Sequence, residues 1–368
     1  MAKNISRRKF FAGAAAASGL AAAAPVKLAA AATAAAAQTP AARKPAAAVG
    51  LPDVWGQDFL YQWSPPENVK RDLTPGSAQI RLSCSQDITN REGSDYAAMF
   101  KAMRDGGWTA CEAASAGWLS RKMPDTEVKE IKAQLKAHDV VFYGIHCAGN
   151  IIAPDPGAEQ WQRHIIDAVH SADDMGCQLV LTHSGSMYPD RNRPHPLNWS
   201  REAWSRSVNA LKNICKSTAG SKVEIAIEPV NTEAINNPWA FLRLREDVGD
   251  SRLMCGLDIT NMVFSSNAFR MTEMLNTTFD LLEDKISYVH AKDFVWDGML
   301  PGLDWAMNGT GNMDYETFLV RISRIKDAKM YVEFLRSADE YQQAQRNIRS
   351  IAAKVGVKIY GTQAQSLS

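Results

Sequence analysis

The feature that most constrains this chain is an alternation of short apolar runs with amphipathic stretches, which repeats eight times from residue 79 onward. Short apolar runs predict strands, and apolar residues three or four positions apart predict helices. The predicted strands are 79–85, 109–115, 140–147, 179–184, 223–230, 253–258, 286–291 and 329–335. The predicted helices are 94–107 (N-capped by Ser94), 125–138, 159–176, 202–218, 238–249, 268–284, 314–327 and 339–355.

Eight strand–helix units in succession predict a parallel sheet, and eight strands are the number that closes a (β/α)8 TIM barrel. We therefore predict an α/β fold with a single barrel domain over residues 78–358. A doubly wound open sheet is the alternative. No G-x-G-x-x-G motif follows the first predicted strand, and this counts against a dinucleotide-binding sheet.

The first residues differ in composition from the rest. The basic cluster Arg7-Arg8-Lys9 precedes an alanine-rich stretch that runs to about residue 37, a layout typical of a twin-arginine export signal. An alanine-rich membrane anchor is the alternative. We predict a signal over 1–37, a linker and N-terminal extension over 38–77, and a C-terminal tail over 359–368. The expected location is the periplasm, and the expected partner is the twin-arginine export machinery.

Charge and cysteine usage narrow the function classes. The chain has a formal net charge of +1, and residues 1–36 hold five Lys or Arg and no Asp or Glu. The mature protein is therefore mildly acidic, which argues against a nucleic-acid partner. The six cysteines include no C-x-x-C pair, and several lie in apolar runs. We predict buried thiols, with disulfides as the alternative in an exported protein.

Ionisable residues stand where six of the predicted strands end: His146, His183, Glu228, Asp258, His290 and Glu333. Any one of them could simply cap a helix or form a structural hydrogen bond. The last four follow successive strands, whose ends meet at the mouth of a barrel. Three carboxylates at one mouth would repel each other unless a cation neutralised them. Together with one imidazole they suit a divalent metal: Mn²⁺, Mg²⁺ or Co²⁺, with Zn²⁺ or Fe²⁺ as further options.

Four short motifs carry a family resemblance: I-A-I-E-P-V-N, G-L-D-I-T-N-M, Y-V-H-A-K-D and Y-V-E-F-L. In order and placement they resemble the xylose isomerase-like TIM barrels, the sugar phosphate isomerase/epimerase group. The resemblance implies that Glu228, Asp258, His290 and Glu333 bind one divalent metal, with Mn²⁺ preferred. In the epimerase branch it also implies that Glu228 and Glu333 are the acid/base pair on opposite faces of the substrate.

Two positions depart from the family pattern. Many relatives carry D-x-x-H after strand 6, and Asn261 stands at that histidine position here. The endonuclease branch carries H-x-H after strand 7, and this chain has His290-Ala291-Lys292. The loss of two imidazoles argues against a multi-metal DNA-repair site. It also weakens the transfer of the ketose-epimerase mechanism, because a substrate histidine is missing.

The sequence thus predicts a metal-dependent sugar isomerase or epimerase that enolises a non-phosphorylated keto-sugar. One alternative is a lyase or hydratase that acts on a 3-keto glycoside by β-elimination, and another is a non-catalytic periplasmic carbohydrate-binding barrel. The G-T-G-N-M-D stretch at 309–314 is interpreted as a turn with Asn312 or Asp314 near a helix start, not as a phosphate cradle. A homo-oligomer is compatible with this type of barrel.

The predicted substrate-binding residues lie at or beyond the strand ends: His183, His146, Asn261, Lys292, Glu112, Arg336 and Trp118. Lys292 could stabilise an enolate oxygen, or it could face outward into solvent beside Asp293. Trp118, like Trp296 and Trp305, falls in a predicted post-strand loop, where an indole could stack on a sugar ring.

Overall fold

The computed structural model describes residues 69–84, 91–296 and 302–361. The predicted export signal, most of the predicted linker and most of the predicted tail lie outside these residues. Within them, no helix is long and apolar enough to cross a membrane.

Eleven strands form within the described residues. They are β1 (Gln79–Cys84), β2 (Ala110–Ala114), β3 (Val141–His146), β4 (Leu179–Thr182), β5 (Glu224–Ile227), β6 (Leu253–Asp258), β7 (Ile286–Ala291), β8 (Asp293–Trp296), β9 (Leu303–Ala306), β10 (Lys329–Val332) and β11 (Lys358–Ile359). Nine of them form one sheet in the order β11-β1-β10-β7-β6-β5-β4-β3-β2, with parallel pairs throughout.

Nine α-helices accompany the strands over the described ranges. They are α1 (Tyr96–Asp105), α2 (Ser115–Trp118), α3 (Asp125–Ala137), α4 (Gly157–Met175), α5 (Arg201–Ser217), α6 (Pro238–Val248), α7 (Met271–Leu282), α8 (Tyr315–Ile322) and α9 (Ala338–Lys354). Their apolar sides pack on the outer face of the sheet, where most of the core lies. This places helices around a curved parallel sheet.

Apart from the short edge strand β11, the sheet is a row of eight strands from β1 to β2, and these two end strands approach each other. The Thr109 N–H, just before β2, donates to the Leu82 carbonyl in β1 (2.9 Å). The α/β barrel fold predicted from the strand–helix alternation is confirmed. Inside the barrel a second apolar cluster forms a floor below the strand ends: Ala110, Tyr143, Leu179, Leu181, Ala226 and Tyr288.

The structure corrects several local predictions. Asp95, not Ser94, caps α1 by accepting the Ala98 N–H. Residues 294–313, predicted as a loop, include most of the antiparallel hairpin of β8 and β9, which begins at Asp293. The predicted strand ends at 183–184, 228–230 and 333–335 lie beyond β4, β5 and β10, so these residues leave the sheet.

Two other predictions are confirmed. Asp314 is the N-cap of α8, and its carboxylate accepts the Thr317 N–H (3.2 Å). All six cysteines are buried free thiols. Burial alone explains their placement, because thiols behave as small apolar groups in a core.

Candidate functional site

Four polar side chains converge at the carboxyl ends of neighbouring strands β5, β6, β7 and β10. Ligand atoms of Glu228, Asp258 and His290 lie within 4.8 Å of one another, and all three residues are buried. His290 Nδ1 lies 3.3 Å from Glu228 Oε2 and 4.0 Å from Asp258 Oδ2. It lies 2.9 Å from Glu333 Oε1, so the fourth strand end contributes to the same cluster.

Asp258 and Glu228 each have one carboxylate oxygen that accepts hydrogen bonds from neighbouring groups. Asp258 Oδ1 accepts from the Thr260 hydroxyl (2.5 Å) and the Thr260 N–H (3.0 Å). Glu228 Oε1 accepts from the Asn261 side-chain amide. The other oxygens, Asp258 Oδ2 and Glu228 Oε2, remain directed into the cluster.

The atoms of the cluster are of the types that bind divalent metal ions. Among the described residues, Glu228 Oε2 and both nitrogens of His290 are buried without a hydrogen-bond partner, while Asp258 Oδ2 and Glu333 Oε1 face the Lys292 ammonium. Buried polar atoms without partners are rare and call for a reason. Oxygen and imidazole donors around one point suit a divalent cation.

Lys292 brings a positive charge into the cluster. Its side chain is buried, and Nζ lies 2.5 Å from Asp258 Oδ2, 2.9 Å from Glu333 Oε1 and 3.1 Å from Asn261 Oδ1. The outward-facing alternative for Lys292 is therefore wrong. Asn261 bridges the ammonium and Glu228, so the two residues that depart from the family pattern contact each other.

The local charges set the protonation states. Burial opposes ionisation of Glu333, but Lys292 and His290 outweigh it and lower its pKa to about 2. For His290, burial opposes the charged form, while Glu333 and Glu228 raise its pKa well above the usual value. Burial likewise works against the Lys292 ammonium, and Asp258 and Glu333 raise its pKa overall. The cluster therefore binds positive charge strongly, as expected of a cation site.

A second group of side chains surrounds His183, directly after β4. His183 is buried, and burial together with Arg191 lowers its pKa well below the usual value. Its Nδ1 lies 3.8 Å from Glu233 Oε1. Glu233 also accepts from the Ser184 hydroxyl (2.8 Å) and the Gly185 N–H (2.6 Å). His183 is thus a neutral imidazole beside a fixed carboxylate.

Glu233 was not among the residues predicted from the sequence. Its signal is present in E-P-V-N-T-E, where a second acid follows Glu228 by five residues. Nothing in that spacing alone predicts burial, because the residue lies in a loop without periodicity.

His146 and Glu112 lie side by side in the barrel interior. His146 Nδ1 lies 3.3 Å from Glu112 Oε1, and the Tyr143 hydroxyl donates to Glu112 Oε2 (3.0 Å). The His146 ring lies 5.9 Å from the rings of both His183 and His290. These two predicted substrate residues therefore adjoin the cluster of Glu228, Asp258, His290 and Glu333.

The other two predicted substrate residues, Trp118 and Arg336, make their contacts elsewhere. Trp118 is fully buried, its indole N–H donates to Ser171 in α4 (3.0 Å), and its ring packs on Phe142 (4.8 Å). The prediction that Trp118 contacts substrate is wrong, because the short helix α2 turns the indole into the core. Arg336 is exposed just before α9, where its backbone N–H donates to Glu340 (2.6 Å).

Two aromatic side chains lie next to Lys292. Phe334 follows Glu333 and has a positive φ of 64°. Its ring centroid lies 4.7 Å from that of Trp305 in β9 and 4.3 Å from Lys292 Nζ. Phe334 keeps 46% of its surface exposed.

A glycine-rich loop closes on its own carboxylate. Asp293 is buried, and its oxygens accept the N–H groups of Phe294, Gly309, Thr310, Gly311 and Met313 at 2.8–3.1 Å. The stretch at 309–313 is thus a ring of N–H donors around an internal anion. This finding supports the turn interpretation over a phosphate cradle.

Comparison with known protein families identifies the family of this chain. The sequence profile described as a xylose isomerase-like TIM barrel matches residues 100–353. The chain belongs to this family. The matched range contains all four residues of the cluster. No curated protein matches the chain significantly.

Solved structures of the xylose isomerase-like fold resemble this one at low sequence identity. D-psicose 3-epimerase from Clostridium cellulolyticum H10 with D-tagatose has a TM-score of 0.55, 13% identity, and coverage of 76% of this chain and 100% of that one. A xylose isomerase-like protein from Mycobacterium smegmatis in complex with magnesium has a TM-score of 0.56, 10% identity and coverages of 76% and 97%. Endonuclease IV from Thermus thermophilus has a TM-score of 0.58, 17% identity and coverages of 74% and 99%. The likeness shows a shared fold that hosts different chemistries.

Proposed function

We propose that this protein is a divalent-metal-dependent sugar isomerase or epimerase that enolises a non-phosphorylated keto-sugar. One observation carries the proposal. Ligand atoms of Glu228, Asp258 and His290 lie within 4.8 Å of one another, and Glu333 Oε1 lies 2.9 Å from His290 Nδ1. We propose that these four residues hold one divalent ion, with Mn²⁺ preferred because three of the four donors are carboxylates.

A bound divalent ion would polarise a substrate carbonyl and so acidify the neighbouring C–H. The two candidate bases stand on opposite sides of the cluster. In the sheet order β10-β7-β6-β5, Glu333 follows one outer strand and Glu228 the other. The pKa of each lies below its usual value. Lys292 and His290 outweigh the effect of burial on Glu333, and His290 is the main group that outweighs it on Glu228. Both are therefore ionised near neutral pH and able to take a proton.

Other side chains would bind and orient the substrate. The Lys292 ammonium and the Asn261 amide lie beside both glutamates and can donate to a developing enolate oxygen. Neutral His183, held beside Glu233, can exchange hydrogen bonds with a sugar hydroxyl. Removal of a proton by one glutamate and its return by the other would invert the carbon.

The proposal of a non-phosphorylated substrate rests on two features. The glycine-rich loop at 309–313 is filled by the Asp293 carboxylate, so it offers no free N–H groups to a phosphate. The basic cluster Arg7-Arg8-Lys9 supports export to the periplasm, and phosphorylated sugars are chiefly cytoplasmic. We propose the periplasm as the site of action.

The test combines metal analysis with isotope exchange. Purified protein should contain about one divalent ion per chain, and the metal-loaded protein should incorporate solvent deuterium into one or more keto-sugars of a panel. Glu333→Gln should slow this exchange by about a hundredfold or more, since general-base groups contribute on this order. Glu202→Gln, on the exposed side of α5, is the matched control and should exchange at the wild-type rate.

The same experiment separates the alternatives. Equal exchange rates in the wild type and in Glu333→Gln would rule out Glu333 as the base. Release of the substituent from a 3-keto glycoside would assign β-elimination in place of isomerisation. Sugar binding without deuterium exchange, in the wild type as in the variants, would favour a non-catalytic carbohydrate-binding barrel.

A further inference from the structure

We propose that Phe334 and Trp305 form the wall of a second subsite, which binds the ring attached to the reacting sugar. The substrate is then a glycoside and not a free monosaccharide. This inference rests on the proposed function for the sugar that reacts at the cluster, and it adds the chemical class of the whole substrate. Its evidence is the backbone and the surroundings of Phe334.

The backbone of β10 predicts a different direction for Phe334. Side chains alternate between the two faces of a strand. Tyr331 packs on His290 (ring centroids 5.1 Å apart), and Glu333 reaches the same imidazole, so odd-numbered residues here face the barrel interior. Val332 belongs to the core between sheet and helices. In extended backbone, Phe334 would follow Val332 outward.

The left-handed conformation at Phe334 redirects its ring toward the site. With φ at 64°, the ring lies 4.3 Å from Lys292 Nζ, and that ammonium lies 2.9 Å from Glu333 Oε1. Glu333, a candidate metal ligand, and the next residue, Phe334, therefore both face the mouth. A regular strand end would not permit this.

This conformation has a cost that burial does not offset. A residue other than glycine loses roughly 1–2 kcal/mol in the left-handed region, and a large ring that is 46% exposed recovers little by packing. Strained backbone of this type concentrates at functional sites. The strain therefore points to a role for the ring in binding and not in folding.

Trp305 completes the wall. The hairpin of β8 and β9 brings its ring to 4.7 Å from Phe334, and Lys292 Nζ lies 5.6 Å from it. The aromatic pair lies on the outer side of Lys292, while Asp258 and Glu333 contact its ammonium from the cluster. A sugar held at the cluster would thus have its substituent beside two aromatic rings, whose apolar faces suit another ring.

The surrounding surface agrees with an extended ligand. Within the described residues, the exposed large apolar side chains are Tyr188, Leu197, Trp199, Phe269, Val295 and Phe334. Tyr188, Leu197 and Trp199 come between β4 and α5, Phe269 between β6 and α7, and Phe334 between β10 and α9, while Val295 lies in β8. They therefore lie on the mouth face, where apolar exposure marks binding surfaces.

The test measures binding and needs no turnover. Methyl β-D-glucoside, phenyl β-D-glucoside and cellobiose are titrated by calorimetry into the metal-loaded protein. The phenyl and cellobiosyl rings should each strengthen binding about tenfold over the methyl group, since one aromatic contact is of this order. Phe334→Gly should abolish the preference for the two larger glycosides. A preference for only one of the two shows whether the second ring is an aryl group or a sugar.

Stability serves as the folding control. Because glycine adopts a positive φ without strain, Phe334→Gly should melt at the wild-type temperature or above it. Lys326→Ala, at an exposed position between α8 and β10, should keep the preference. Equal affinities for the three ligands in the wild type, no binding of any, or a preference that survives Phe334→Gly would each overturn the subsite. A ligand preference in a protein without isotope exchange would keep the subsite and refute enolisation.

Discussion

Lys292 places an ammonium group among oxygen atoms that would otherwise bind a metal. Its Nζ touches Asp258 and Glu333, two of the four residues of the cluster. At this distance a unit charge interacts strongly with each carboxylate, even after screening by the protein. The same lysine can therefore compete with a metal and bind substrate once a metal is present.

Lys292→Met tests the competition. Without the ammonium the carboxylates lose their internal cation, so the variant should bind Mn²⁺ at least about tenfold more tightly. Titration calorimetry at constant pH measures the affinity. Lys285→Met, which removes a lysine paired with Asp284 outside the cluster, should leave it unchanged. Weaker metal binding by Lys292→Met would contradict the competition.

Glu233 gives a pH-dependent stability with a defined sign. Burial raises its pKa from 4.5 to about 6, although Arg191 opposes this. The protonated form is favoured by folding, so this contribution is complete below the unfolded pKa and is lost as pH rises through about 6. Glu233→Gln stays neutral at every pH. The free energy of unfolding of the variant should therefore gain about 2 kcal/mol on the wild type between about pH 4.5 and 7.

Urea unfolding at several pH values measures this difference. Glu202→Gln, which changes an exposed glutamate on α5, is the control: its unfolding free energy should differ from that of the wild type by the same amount at every pH. A difference between Glu233→Gln and the wild type that does not change with pH would show that Glu233 has an ordinary pKa.

Single residues show what a sequence can and cannot predict about a site. Glu228, Asp258 and His290 were predictable because each ends an apolar run, and parallel strands bring such ends together. Glu233 and Phe334 lie in loops, where the backbone path depends on tertiary contacts. Trp118 was placed wrongly for the same reason: the sequence shows a tryptophan after a strand, but not that a helical turn buries it.

At the level of elements, the hairpin of β8 and β9 is an addition to a regular barrel. It begins directly after Lys292 and returns Trp305 to the mouth. The loop that follows it is held by Asp293, which accepts five backbone N–H groups. One buried carboxylate thus fixes the loop between the hairpin and α8.

Asp293→Asn should loosen this loop. The amide nitrogen of asparagine would face N–H donors, so the variant should lose about 3 kcal/mol of unfolding free energy, the scale of a buried bond to a charged acceptor. Thermal and urea unfolding measure the loss. Asp304→Asn, on an exposed position of β9, should change stability by less than about 0.5 kcal/mol. Comparable stabilities of the two variants would show that the ring of donors does not depend on the charge.

The strands themselves were predictable, but the ends of some of them were not. β6 and β7 coincide with the predicted ranges 253–258 and 286–291, because buried parallel strands read as continuous apolar runs. The apolar run 329–335 extends past the end of β10 at Val332. Its last residues leave the sheet to present Glu333 and Phe334, and an apolar sequence does not reveal that change of role.

Over the whole molecule, the core excludes water from every cysteine. The six thiols are buried and free, and burial raises the pKa of Cys147 and of Cys215 to about 12. At about pH 8 the reactive thiolate fraction of such a group is roughly one in ten thousand.

A thiol reagent should therefore act as a reporter of global unfolding. Folded protein at about pH 8 should react with a disulfide reagent only as fast as it unfolds, and all six cysteines should react in guanidinium chloride. The absorbance of the released thiolate measures both. A fast stoichiometric reaction in the folded state would reveal an accessible cysteine and contradict the packing.

The contact between Lys292 and the carboxylates has a consequence for how the protein matures. The barrel carries a resident cation at its mouth, so the chain can fold without waiting for a metal to offset the repulsion. On the proposed function, a divalent ion would displace the Lys292 ammonium from Asp258 and Glu333, and the displaced amine would remain beside the site, within reach of the substrate.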